Sequence, residues 1–191
     1  MGAPRDLATR APAPARTATG RRLIEIGIGA LLVAVAAQVA VPVPFTPVPM
    51  TLQPLAVLVV GGLLGAAGGL AALTTYLALG LLGLPVFAGG SSGLVHVMGP
   101  TGGYLLAFPV AAAVTGALAG RSAGALRTLL ACALAMAVIH AGGVAQLALL
   151  GGNPAAAFRM GFVPFFTGDL IKVGLAAALI LGLRSRVRGA N

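Results

Sequence analysis

Acidic side chains are nearly missing from this chain: Asp6, Glu25 and Asp169 are the only ones in 191 residues. Lysine occurs once, at Lys172, and tryptophan is absent. Cys132 is the sole cysteine, so no internal disulfide can form, and its apolar surroundings read as packing. With one lysine the chain has no Gly-x-x-x-x-Gly-Lys-[Ser/Thr] loop, which excludes ATP hydrolysis of that kind. No Cys/His cluster has metal-ligand spacing, and no metal or cofactor is expected. Charged residues make up only 8% of the chain, too few to coat a water-soluble domain.

Apolar residues dominate instead, at 59%, with a mean hydropathy of +1.04. Long apolar stretches divided by Pro/Gly clusters point to an all-α, polytopic membrane protein. Residues 1–20, rich in Ala, Pro, Arg and Thr, read as a disordered basic tail, and residues 21–191 as one transmembrane domain. Six spans are expected near residues 23–41, 51–66, 69–84, 101–120, 128–150 and 164–183. The first resembles a signal peptide, with Arg21-Arg22 before an Ala34-Val35-Ala36 site. It continues to Val41, however, which is long enough to span.

The arginines set the orientation. With a cytoplasmic N-terminus, Arg5, Arg10, Arg16, Arg21, Arg22, Arg121, Arg127, Arg184, Arg186 and Arg188 lie inside, and only Arg159 outside. This asymmetry fits the positive-inside rule, so the net charge of +9 reflects topology and not nucleic-acid binding. An even number of spans leaves both termini cytoplasmic. The Pro- and Gly-dense connections 42–50 and 85–100 then fall outside, on the side where the Asp169 segment begins.

Asp169 and Lys172 are spaced i,i+3 and share a helix face. Each charge costs about 2.5–3.5 kcal/mol at a bilayer centre, so the face must turn into the bundle. With a helix starting at Pro164, Asp169 lies ~8 Å and Lys172 ~12 Å along its axis. The pair is a structural clamp, a proton relay that no further buried carboxylate extends, or an acceptor and a donor offered to a polar ligand, and the last reading is favoured. Four alternating prolines, Pro42, Pro44, Pro47 and Pro49, stiffen the first outer loop, which reads either as a tight connector or, preferably, as a lid that closes at little entropic cost. Beyond it, Thr51 and Gln53 lead into the second span, where Gln53 offers an amide. Phe87 and Tyr104, beside glycine-rich turns, can wall a pocket.

Two other signals are weaker. Gly90-Ser91-Ser92-Gly93 resembles the serine motif of rhomboid intramembrane proteases, a reading that requires the serine to meet His140. Ala30 and Ala34, like Ala36 and Ala40, are four apart and permit close helix packing, internally or with another membrane subunit.

Taken in order, the segments 43–53, 83–90, 99–104 and 168–172 resemble the BioY family, the biotin-specific S components of energy-coupling-factor transporters. The resemblance runs from about Leu23 to Leu183 and implies a six-helix S-component fold that captures biotin outside the cell. It further implies partners: a transmembrane T component, met through the small-residue face of Ala30 and Ala34, and two ATPases that supply the energy. A solitary biotin transporter is the alternative, since some members of the family are thought to work without such partners. By resemblance, Asp169 accepts from the ureido N–H groups, Lys172 donates to the ligand, and Gln53, Tyr76 and Tyr104 share the cavity. One departure stands out. Some relatives carry an arginine suited to the biotin carboxylate where this chain has Ser91-Ser92, leaving Ser91, Lys172 or backbone N–H groups to meet it.

Overall fold

The computed structural model describes residues 15–120 and 123–189. Residues 1–14 of the expected tail, with Arg5 and Arg10, lie outside the described residues, as does Arg121. Residues 15–20 are not tail, because helix α1 already runs over Ala15–Gln38. The other principal helices are α2 (Gln53–Leu81), α4 (Gly102–Leu118), α5 (Ala125–Gly151) and α7 (Phe166–Gly189). Two short helices, α3 (Leu94–Met98) and α6 (Pro154–Gly161), sit in the connections. Among the described residues the protein is all-α apart from a ribbon of two two-residue strands.

Helix α2 is two spans folded against each other. Gly65 has φ 75° and ψ 176°, a conformation open essentially to glycine alone, and the chain reverses there. A straight helix would hold Gln53 and Tyr76 about 34 Å apart. Their side chains instead share a hydrogen bond of 2.7 Å. The expected break between the spans 51–66 and 69–84 is thus a turn at one residue, Gly65. By length and composition three helices can cross a membrane, Gln53–Leu81, Ala125–Gly151 and Phe166–Arg186, with Gly102–Leu118 shorter and also apolar. Counting both legs of α2, and α1, gives six crossings.

Small residues let these helices approach. Gly61 and Gly69 of α2 both face the backbone of Ala112 on α4, so neither position has space for a side chain. α5 then packs between α4 and α7, and α1 lies along α2. Ala30 is 2% exposed within this bundle and Ala34 is half-buried against its core. The face assigned to a docking partner is therefore used, at Ala30, inside the chain. Large apolar residues such as Leu31, Leu106, Leu134 and Leu175 face outward, as expected of a surface solvated by lipid.

The two ends of the bundle differ. At one, the Arg184 guanidinium donates to the Gly62 and Gly120 carbonyls, and Arg127 Nε donates to the Leu118 carbonyl. These bonds satisfy acceptors that helix ends leave open. At the other end, Ala40–Val41 pairs antiparallel with Met50–Thr51, in the register Ala40↔Thr51 and Val41↔Met50. The proline loop is thus closed at its base into a ribbon. The last helix begins at Phe166, not Pro164, which lies in the preceding turn. Asp169 consequently sits in its first turn, nearer the surface than expected.

Candidate ligand-binding site

Asp169 is held from three directions. Its backbone N–H donates to the Phe165 carbonyl at 2.8 Å, fixing the start of α7. Lys172 Nζ, one turn on, donates to Oδ1 at 2.8 Å. His140, from α5, meets Oδ2 through Nε2 at 2.6 Å. Asp169 and Lys172 are 5% and 7% exposed, so the pair is desolvated and depends on these partners.

The tautomer follows from the second ring nitrogen. His140 Nδ1 lies 3.2 Å from the Gly161 carbonyl, which can only accept, so Nδ1 carries a hydrogen. Nε2 and Oδ2 then hold a single proton between them. The same Gly161 carbonyl accepts from the Tyr104 hydroxyl at 2.6 Å. α6 therefore ends on an oxygen that positions side chains from α4 and α5 together. Phe162 meets the His140 ring edge-on, with centroids 5.0 Å apart.

A second chain of hydrogen bonds starts at the lid. Thr51 Oγ1 donates to Gln53 Oε1 at 3.2 Å, Gln53 Nε2 donates to the Tyr76 hydroxyl, and that hydroxyl donates to the Val86 carbonyl at 3.2 Å. The relay joins the ribbon, both legs of α2 and the glycine-rich loop. Each link satisfies a polar atom that would otherwise cost about 1–3 kcal/mol when buried.

Between these networks lies a partly open cavity, with about 550 Å³ of empty space once the open solvent at its mouth is included. Thr51, Gln53, Tyr104, Asp169 and Lys172 line it, five of the eight ligand contacts expected from sequence. Leu105, Phe108, Ile139 and Phe165 supply apolar wall, and Val48 and Pro49 bring the proline loop over it. The other three residues stand behind the wall. Tyr76 supports Gln53, and Phe87 is fully buried against Tyr76 with ring centroids 5.6 Å apart. Ser91 Oγ donates to the Ala88 carbonyl at 2.7 Å and touches His96 Nε2 at 3.3 Å.

That geometry does not form the protease dyad. Both His140 nitrogens are taken by Gly161 and Asp169, and Ser91 is bonded within its own loop. Sequence reading left His96, Thr101 and His140 off the ligand set, yet all three line the cavity. A histidine midway along an apolar span was the available signal for His140. Nothing local marked His96.

Known proteins align with nearly the whole of this chain. The biotin transporter BioY of Thermotoga maritima is 39% identical over 164 residues, covering 86% of this chain and 96% of its own. The probable biotin transporter BioY of Pyrococcus horikoshii is 40% identical over 159 residues, covering 81% and 93%. The fold matches a crystal structure described as the S component for biotin from an ECF-type ABC transporter, with a TM-score of 0.82 and 26% identity. That match covers 92% of this chain and 95% of the other. The six-crossing bundle is therefore an S-component fold, and the chain is a multi-pass membrane protein. A profile of the BioY family matches residues 10–189, and the chain belongs to that family.

Proposed function

We propose that this chain captures biotin in the cavity beneath the proline loop and serves as the substrate-binding S component of an energy-coupling-factor transporter. The observation that carries the reading is the Asp169–Lys172 pair on the cavity wall, an acceptor and a donor side by side. The ureido ring of biotin has the complementary arrangement, with N–H donors flanking a carbonyl. Asp169 accepts from the N–H groups and Lys172 donates to the carbonyl, while His140 holds the carboxylate in orientation. Gln53 and Thr51 give further polar contacts, and the apolar thiophane ring rests among Leu105, Phe108, Ile139 and Phe165. Desolvation inside the cavity strengthens each of these bonds.

The end bearing the cavity faces outward, and the end gathered by Arg184 and Arg127 faces the cytoplasm with both termini. This orientation follows the arginine distribution. The chain itself binds and releases. A T component and two ATPases supply the energy for inward transfer.

Equilibrium binding of radiolabelled biotin to the purified protein in lipid nanodiscs tests the reading. Saturable binding is expected, and its absence from folded protein overturns the proposal.

A further inference from the structure

The polar groups on the cavity wall fall into three sets that no hydrogen bond joins among the described residues. The first is Asp169, Lys172, His140 and Tyr104, and the second is Thr51 and Gln53. The third is His96 and Thr101, on α3 and at the start of α4. His96 Nε2 lies 3.1 Å from Thr101 Oγ1 and 3.3 Å from Ser91 Oγ, while its ring stacks on Phe87 with centroids 5.5 Å apart. The ring is thereby held in place by its protein contacts. Nδ1 engages no group among the described residues, and it is the nitrogen left to a ligand.

We propose that His96 Nδ1, supported by Thr101 and the first turn of α4, receives the carboxylate of the bound biotin. The inference rests on the biotin reading above and extends it to the other end of the ligand. Two considerations exclude the Asp169–Lys172 end. A carboxylate only accepts, so it makes no use of Asp169, and beside that carboxylate it meets a like charge. The His96 end has no such obstacle. Of the two acidic residues among the described ones, Asp169 belongs to the first set and Glu25 pairs with Arg21 on α1. Thr101 and Tyr104 bring the N-terminus of α4 to the cavity wall, where the helix dipole favours an anion. Leu105, in the same turn, gives the aliphatic tail an apolar surface on the way.

The arrangement has a pH signature. Burial lowers the His96 pKa below the usual histidine range, so the free ring is mostly neutral near neutral pH. A bound carboxylate favours the imidazolium and raises that pKa in the complex. Preference for the charged ligand is therefore fullest at low pH and is lost as pH rises through the value in the complex. The other titratable groups on the wall are Tyr104 of α4, His140 of α5, and Asp169 and Lys172 of α7. Tyr76 of α2 reaches the same loop through the Val86 carbonyl. Those on the wall face the ureido end, which the two ligands share, so their influence cancels in the comparison.

The test compares biotin with biotin amide, whose tail is neutral, on the full chain in nanodiscs from about pH 5 to about pH 8. The wild type is expected to prefer biotin by about ten- to a hundredfold at the acid end, with the preference shrinking as pH rises. His96→Gln keeps a hydrogen-bonding side chain and cannot charge, so its preference should fall to near unity at every pH. A wild-type preference that is flat with pH overturns the inference whatever the variant does. A preference that survives in His96→Gln also overturns it and returns the carboxylate to Lys172. If neither ligand saturates the wild type, the biotin reading itself fails. The wild-type pH series decides the matter even if the variant does not fold.

Discussion

His140 Nε2 lies 2.6 Å from Asp169 Oδ2 across two helices, while Lys172 holds the other carboxylate oxygen at 2.8 Å. Both carboxylate oxygens thus have protein partners before any ligand arrives. The carboxylate is fixed in rotation, and what remains for a ligand are the second lone pairs. Such preorganisation reduces the ordering cost of binding.

Asp169→Asn keeps the shape and removes the charge. Hydrogen bonds to an ionised group contribute about 1.5–3 kcal/mol, so biotin affinity should fall about ten- to a hundredfold. Equilibrium binding and thermal unfolding on the same sample separate the roles. Unchanged affinity with a lowered Tm would show the pair to be only a structural clamp.

Replacing His140 tests the positioning role. His140→Phe leaves Oδ2 without its partner and the Gly161 carbonyl with one donor fewer, which should cost about 1–3 kcal/mol of stability. His140→Gln retains a donor and should recover part of that loss. Thermal unfolding in lipid, with biotin affinity measured alongside, checks both. Equal behaviour of the two variants would refute the hydrogen-bond account.

Pro47 lies in the loop over the cavity but not on its wall. Pro47→Ala leaves the contacts in place and loosens the lid, an effect of about 0.4–1 kcal/mol. Biotin should bind about two- to fivefold more weakly, which a measured Kd will show. An unaltered Kd would mean that the stiffness of this loop serves the fold alone.

Gly65→Ala forces a side chain into a backbone conformation that costs about 1–3 kcal/mol. Nothing lies within 4 Å of the added carbon, so the penalty is conformational and not a clash. A lower thermal midpoint with near-normal biotin affinity is expected. A variant as stable as the wild type would mean that the reversal of α2 relaxes there without strain.

The crossings were legible because bilayer solvent imposes a long apolar period that sequence displays directly. Asp169 and Lys172 were legible for the same reason, as charges that an apolar chain must account for. Gln53 and Tyr104 were legible from their motifs. Where legibility failed, position depended on tertiary contact. Nothing in the 85–100 segment distinguishes Phe87, which packs behind the wall, from His96, which lines it. The burial of Ala30 was hidden similarly, since a small residue suits an internal helix contact and an external one equally. The short helix α6 was missed because eight residues, capped by Asn153, carry too brief a pattern against a loop rich in Gly and Ala.

The Gly161 carbonyl, at the end of that helix, accepts from both Tyr104 and His140. It belongs to the main chain of a residue with no side chain. Systematic replacement of side chains therefore passes over one of the atoms that orients this site. Its influence would surface when something shifts the peptide itself: an insertion in residues 151–163, a helix breaker in α6, a change at Asn153, or a side chain at Gly161, whose Cβ would meet the Tyr104 hydroxyl at 2.6 Å. An insertion of one residue there would rotate the carbonyl by about 100° and release two side chains at once. Length in that connection, more than composition, is what natural variants of this protein are expected to keep.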